Sequence, residues 1–143
     1  AREYRAETQN WAVAQDLRGV LFFGNTDGIL EFDGSRWRLL QLPNKALVRT
    51  LAVDNSGRLF AGGKNELGYV VADTAGRMRF VSLLPEVPEQ LRAFGRIAHL
   101  RARAEGVFFL SEKYLFQWAN GQMRAWVSEG GFSALAEMAD TLY

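Results

Sequence analysis

A turn followed by an apolar strand occurs three times in this 143-residue chain, and this repeat constrains the fold more than any other feature. The segment 16–24 (DLRGVLFFG) returns as 54–62 (DNSGRLFAG), and a third copy, 104–111 (AEGVFFLS), follows. Aligned on Gly19, Gly57 and Gly106, each copy continues into a mostly apolar run that ends at a small residue. Each copy is therefore predicted to be a hairpin that enters a buried strand.

The segments around each copy repeat as well. An apolar-rich run precedes each turn, another follows it, and then comes a second turn and a short final strand. Four short antiparallel strands in roughly 40 to 45 residues are typical of a β-propeller blade. We therefore expect an all-β chain of about three and a half propeller blades. The expected units are blade 1 at about 10–42, blade 2 at about 47–84, blade 3 at about 94–128, and the start of a fourth blade at about 132–143.

Such a chain is expected to be an incomplete propeller, because closed propellers typically have about 4 to 8 blades. The ring would be completed by missing blades of a parent chain or by self-association, since two copies would supply about seven blades. Helix is expected only around 86–93, which follows Pro85 and includes Pro88.

Composition excludes several classes of protein. With no Cys, the chain has no disulfide and no thiolate metal site. A formal net charge of +1 offers no global field for nucleic acid, and no apolar run is long enough for a membrane span. The chain also starts without the pattern of a signal peptide. We therefore expect no nucleic-acid partner, no membrane contact by this segment itself, and any export signal or anchor to lie outside it.

Two stretches of the first unit, 9–16 (QNWAVAQD) and 24–37 (GNTDGILEFDGSRW), resemble the two-component regulator propeller repeats. The second unit, with 48–54 (VRTLAVD) and 67–69 (LGY), is similar to the next blade of that family, and the resemblance covers about residues 4–84. It implies a periplasmic sensor: such propellers form the extracytoplasmic input part of membrane-bound bacterial regulators. The histidine kinase, diguanylate cyclase or DNA-binding output domains of such regulators are not in this chain.

No catalytic or metal-binding motif emerges from the residues. Segment 57–64 nearly matches a phosphate-binding loop, but its Lys is one position late and Asn65 stands where Ser or Thr holds the metal ion. The single His99 lies in a predicted inner strand, without a nucleophile elbow elsewhere. One His without Cys disfavours zinc, and the acids of 27–33 alternate with apolar residues instead of following a calcium-loop spacing. We expect no cofactor and no catalysis.

Two further groups of side chains have both a binding and a structural interpretation. Arg92, Arg96, Arg101 and Arg103 are the strongest local charge feature; they either bind an anion such as an acidic sugar or form a solvated face. Aromatic residues recur near equivalent outer-strand positions, where core packing between blades is the simpler interpretation. These are Trp37, Phe80 and Trp126.

Connectivity predicts where a ligand would bind. In a four-stranded meander, the loops between second and third strands lie on the same side as the connectors between blades, and these segments are the longer and more polar ones. We call this side the loop face. Its candidate binding residues are Asn25, Thr26, Asp27, Asn44, Lys45, Lys64, Asn65, Glu66, Arg92, Arg96, Glu112 and Lys113.

The function expected from the sequence is thus that of a sensor propeller, which binds either a small molecule or a partner. The classes of small molecule considered are saccharides and anions. The alternatives are a protein-interaction scaffold and, with His99 as its only support, a propeller lyase or hydrolase.

Overall fold

The structure is a computed structural model that describes residues 10–17, 19–25, 27–43, 47–72, 77–112 and 114–127. Within these ranges, twelve strands form three separate four-stranded antiparallel sheets, each with its strands in sequence order. The predicted all-β class and four-strand unit are confirmed. The predicted start of a fourth blade at 132–143 lies outside the described residues, and the limits given for the blades stay predictions.

Each sheet is a simple meander. Sheet 1 contains β1 (Asn10–Gln15), β2 (Leu21–Asn25), β3 (Gly28–Phe32) and β4 (Trp37–Leu40). Sheet 2 contains β5 (Val48–Val53), β6 (Leu59–Gly63), β7 (Glu66–Ala72) and β8 (Met78–Ser82). Sheet 3 contains β9 (His99–Arg103), β10 (Gly106–Leu110), β11 (Tyr114–Ala119) and β12 (Gln122–Val127).

Two apolar cores hold the sheets face to face. Between sheets 1 and 2, Phe22 and Ile29 pack with Val48, Ala61 and Val70. Between sheets 2 and 3, the core includes Phe60, Leu67, Val107, Phe109 and Phe116. Because sheet 2 is covered on both sides, β6 is buried along its whole length, which explains its lack of a polar–apolar alternation.

The first hairpin turn is built in the same way in sheets 1 and 2. The backbone amide of Val20 donates to Asp16 Oδ1 (3.0 Å), and that of Arg58 donates to Asp54 Oδ1 (2.9 Å). Gly19 and Gly57, each three residues after the Asp, have φ of 89° and 90°, a left-handed conformation that favours glycine. The repeated Asp and Gly are therefore requirements of the turn.

Sheet 3 makes this turn shorter, because Arg103 pairs directly with Gly106. Phe108 is consequently the structural equivalent of Phe60, and Phe109 is the equivalent of Ala61. Both Phe109 and Ala61 pack toward the preceding sheet, Phe109 toward sheet 2 and Ala61 toward sheet 1. The alignment on Gly106 is therefore wrong by one residue. It missed the shortened turn, in which no Asp is present to hold the longer loop.

The connector from sheet 2 to sheet 3 contains two short 3-10 turns, Leu84–Glu86 and Glu89–Leu91, in the region where a helical turn was expected. Leu83, Val87 and Phe94 are buried in the core between sheets 2 and 3, so the connector is fixed to the sheets.

The three outer-strand aromatic residues differ in their surroundings. Trp37 is half-buried against Phe32, with ring centroids 4.5 Å apart, and Phe80 packs on the core between sheets 1 and 2. Trp126 is 38% exposed and is the least buried of the three.

Candidate functional site

The loop between β6 and β7 is joined to the connector that leads into sheet 3. Lys64 and Arg96 form an antiparallel bridge. The amide of Asn65 donates to the carbonyl of Gly95 (2.7 Å), and the amide of Gly95 donates to Asn65 Oδ1 (2.7 Å). A third bond runs from the amide of Ile97 to the carbonyl of Gly63 (3.2 Å). This loop–connector bridge fixes two segments that are far apart in sequence.

The loop–connector bridge carries two cationic side chains on its exposed surface. Lys64 and Arg96 are both solvent-exposed, and Arg96 Nη2 lies 4.0 Å from Glu112 Oε1 of the β10–β11 loop. An exposed ion pair at this distance contributes little free energy, so Arg96 keeps most of its capacity to bind an anion. The loop face thus brings together Lys64, Asn65, Arg96 and Glu112.

Three other predicted binding residues have structural partners. Asn25 is fully buried and its Oδ1 accepts the amide of Asp27 (2.8 Å). Arg92 donates from Nε to the carbonyl of Val87 (2.9 Å) and from Nη2 to that of Pro85 (3.3 Å). The third is Glu66, whose Oε1 accepts from Ser82 Oγ. Thr26, Asn44, Lys45 and Lys113 lie outside the described residues.

Glu66 opens β7 but points inward, with only 2% of its surface exposed. Its Oε1 accepts from Ser82 Oγ (2.6 Å) and from the amide of Leu67 (3.0 Å). Burial raises the pKa of Glu66, and these two hydrogen bonds oppose the rise. Glu66 therefore links β7 to the end of β8 and does not face a ligand on the surface.

The four arginines of the predicted basic group lie on separate segments. Arg92 lies on the connector and Arg96 on the loop face, whereas Arg101 and Arg103 are exposed on β9. His99, on the same strand, is also exposed.

In the described part of the chain, no three His, Asp or Glu side chains are grouped so that they could hold a metal ion. None of the helices described there has the length and apolar character to cross a membrane.

A cavity of about 690 Å³ between sheets 1 and 2 was not predicted. Its lining includes Phe22, Ile29, Glu31, Arg36, Arg38, Leu40, Arg77 and Met78. The only sequence signal for it is Arg36 and Arg38 on either side of Trp37, next to an apolar strand. A shallower hollow of about 530 Å³ lies on the side opposite the loop face, among the turns of sheets 2 and 3.

Comparison with known proteins identifies the architecture. The structure is similar to that of virginiamycin B lyase from Staphylococcus aureus, a β-propeller, with a TM-score of 0.60 and 14% sequence identity. The three sheets are propeller blades. The match covers 87% of this chain and 43% of the lyase chain, so this chain spans less than half the length of that protein. No protein-family model and no curated protein matches the sequence. We refer to sheets 1, 2 and 3 as blades 1, 2 and 3 from here on.

Proposed function

We propose that this chain is the input part of a bacterial signal-transduction regulator, a propeller that binds a small molecule or partner on its loop face. In this proposal it belongs to the periplasmic part of an inner-membrane protein and catalyses no reaction itself. The observation that carries the proposal is the pair of exposed cations, Lys64 and Arg96, held side by side where blades 2 and 3 meet.

The position of this pair suits a sensor. Lys64 and Asn65 belong to blade 2, Arg96 belongs to the connector, and Glu112 belongs to blade 3. A ligand that contacts all of them binds with a free energy that depends on how the two blades are arranged. By linkage, that ligand shifts the population of blade arrangements, which is what an input domain has to do.

The chemistry of the group favours an anionic ligand. Two cations and an amide can bind a carboxylate through charge-assisted hydrogen bonds, and Arg adds a bidentate geometry. An acidic saccharide combines such a carboxylate with hydroxyl groups for the neighbouring polar side chains. We therefore name acidic saccharides as the first ligand class to test.

The test is a calorimetric titration of the chain with galacturonate and with neutral galactose. We expect the double variant Lys64→Gln/Arg96→Gln to weaken galacturonate binding at least tenfold, because two charge-assisted contacts are lost. The matched control is Arg79→Gln/Arg124→Gln, which removes two exposed cations from the outer strands β8 and β12. Equal weakening in both double variants would show a general charge effect and contradict the proposed site.

An interaction scaffold is the main alternative. It predicts that no small molecule from an acidic saccharide panel raises the melting temperature, and that a defined protein is retained by the chain in a pull-down. If the double variant Lys64→Gln/Arg96→Gln no longer retains that protein, the loop face is still the binding site, and its ligand is a protein instead of a saccharide.

A lyase activity is a second candidate, because the similar propeller is named as a virginiamycin B lyase. In this candidate the imidazole of His99, which is exposed, would transfer the proton. The test is incubation of the chain with virginiamycin B, followed by chromatography of the remaining substrate. Consumption that is abolished in His99→Gln would support this candidate over the sensor.

A further inference from the structure

Blades 1 and 2 enclose a cavity of about 690 Å³ near their outer strands. Radially arranged sheets pack closely at their inner strands and diverge outward, which leaves space beside β4 and β8. The floor is apolar: Phe22 and Ile29 are buried core residues, and Leu40 and Met78 pack against that core. The volume lies within the range of about 300 to 1,000 Å³ typical of small-molecule sites.

Three guanidinium groups line this apolar floor. Arg36 ends the β3–β4 turn, where its amide donates to Asp33 Oδ1 (2.9 Å), and Arg38 lies two residues further on β4. Arg77 directly precedes β8 on the facing blade. All three are exposed, so the cavity combines an apolar interior with a cationic rim supplied by both blades.

One acidic residue, Glu31, shares the wall. It lies opposite Arg38 in the β3–β4 register and is only 8% exposed. Three formal positive charges against one negative charge leave the cavity cationic, which favours an anion. The carboxylate of Glu31 also repels a second negative charge nearby, which favours a monoanionic headgroup over a phosphate dianion.

We propose that this cavity binds an amphipathic monocarboxylate. The apolar body lies on Phe22, Ile29 and Met78, and the carboxylate is held by Arg36 and Arg38 through bidentate contacts. This site is distinct from the loop face, because it lies between blades 1 and 2 and uses none of the residues proposed there. A negative binding result at one site therefore does not contradict the proposal for the other site.

The experiment titrates the full chain calorimetrically with decanoate below its micelle concentration, beside decanol and acetate. We expect saturable binding of one decanoate per chain, with decanol and acetate each at least tenfold weaker, since each lacks one half of the recognised chemistry. Arg38→Gln and Arg36→Gln each weaken decanoate about tenfold by removing a charged donor. Both side chains are exposed, so both variants are expected to keep the fold.

The matched control is Arg124→Gln, an exposed arginine on β12 of blade 3, which is expected to leave decanoate binding unchanged. A second variant is Met78→Trp, whose larger side chain occupies part of the apolar cavity. It is expected to lower the affinity for decanoate without changing the charge of the site. Three results would overturn the proposal: no saturable decanoate binding, decanol binding as tightly as decanoate, or equal weakening by Arg124→Gln and Arg38→Gln.

Discussion

At the scale of single residues, the turns between the second and third strands of blades 1 and 2 each place a polar side chain in the interior. Asn25 and Glu66 stand at equivalent turns of blades 1 and 2, and both are buried with their oxygen atoms hydrogen-bonded. A buried acceptor left without its donor costs about 1 to 3 kcal/mol, so these bonds matter for stability. Such residues stabilise the turns that present the exposed side chains.

Glu66 gives the chain a pH-dependent stability. Because burial raises its pKa above the ordinary value of 4.5, the folded state binds this proton more tightly than the unfolded state. The stabilisation is fully present below pH 4.5 and is lost as pH rises through the raised pKa. We therefore expect the stability of the wild type to fall relative to Glu66→Gln between pH 4.5 and 7.5, as measured by urea unfolding.

Ser82→Ala is the matched variant for this prediction. Ser82 Oγ donates to Glu66 Oε1, a bond that favours the ionised carboxylate. Its removal is expected to make the loss of stability on raising the pH larger than in the wild type. Parallel pH profiles for wild type, Glu66→Gln and Ser82→Ala would contradict the assignment.

Sequence reasoning could place Lys64, Asn65 and Arg96 on one side of the sheets, because strand connectivity alone decides which loops lie together. It could not show that Glu66, the next residue, turns inward. That orientation depends on a hydrogen bond from Ser82, sixteen residues away on β8. The cavity between blades 1 and 2 was missed for a similar reason, since its volume depends on how two sheets diverge.

At the scale of elements, glycine at the end of a second strand allows the next blade to approach. A Cβ atom added to Gly24 would lie 2.9 Å from Val48 Cγ1, and one added to Gly62 would lie 2.6 Å from Ile97 Cγ2. Val48 begins the inner strand of blade 2, and Ile97 lies two residues before the inner strand of blade 3. This repeated contact explains a second glycine of the sequence pattern, which is required by packing and not by a turn.

We expect Gly62→Ala to destabilise the chain by about 1 to 3 kcal/mol in chemical unfolding, since the methyl group overfills a packed contact between blades 2 and 3. The double variant Gly62→Ala/Ile97→Ala supplies the control. If the clash is the cause, the double variant is less destabilised than the sum of the two single changes. Strict additivity would place the cost elsewhere.

In the third blade, the repeated sequence pattern does not predict which face of the second strand each side chain occupies. Its glycine matches the sequence motif, but the hairpin is shorter, and the phenylalanine positions shift by one. A one-residue shift exchanges the two faces of a strand. Leu110 then occupies the position of Gly24 and Gly62, so the glycine that permits close approach in blades 1 and 2 is not repeated at this position of blade 3.

At the scale of the whole molecule, blade 1 has one side against blade 2 and a second side that is strongly apolar. Val13, Phe23, Leu30 and Leu39 form a single row across β1 to β4, because each pairs with the next in register. Neighbouring Phe22 packs toward blade 2, so this row points away from it. Val13 is 61% exposed and Leu39 is 42% exposed, whereas Leu30 between them is buried, with 1% exposed. Exposed apolar side chains such as Val13 and Leu39 are typical of surfaces that associate.

We expect the chain to self-associate through this row. In sedimentation velocity over a concentration series, Val13→Lys/Leu39→Lys should weaken association at least tenfold, since two charges would be buried against apolar surface. The control is Arg79→Lys/Arg124→Lys, which leaves the row unchanged. A wild type that stays monomeric at the highest concentration would contradict the expectation.

The bonds between the 64–65 turn and residues 95–97 also bear on where this propeller can be cut. They attach residues 95–97, which precede the first strand of blade 3, to blade 2. The hydrogen-bonded unit of blade 2 therefore extends beyond its last strand. A truncation at the repeat boundary would leave the Asn65 amide and the Gly63 carbonyl without acceptor and donor. A shortened form of this protein should therefore keep residues 95–97 with blade 2, and a circular permutant should open elsewhere.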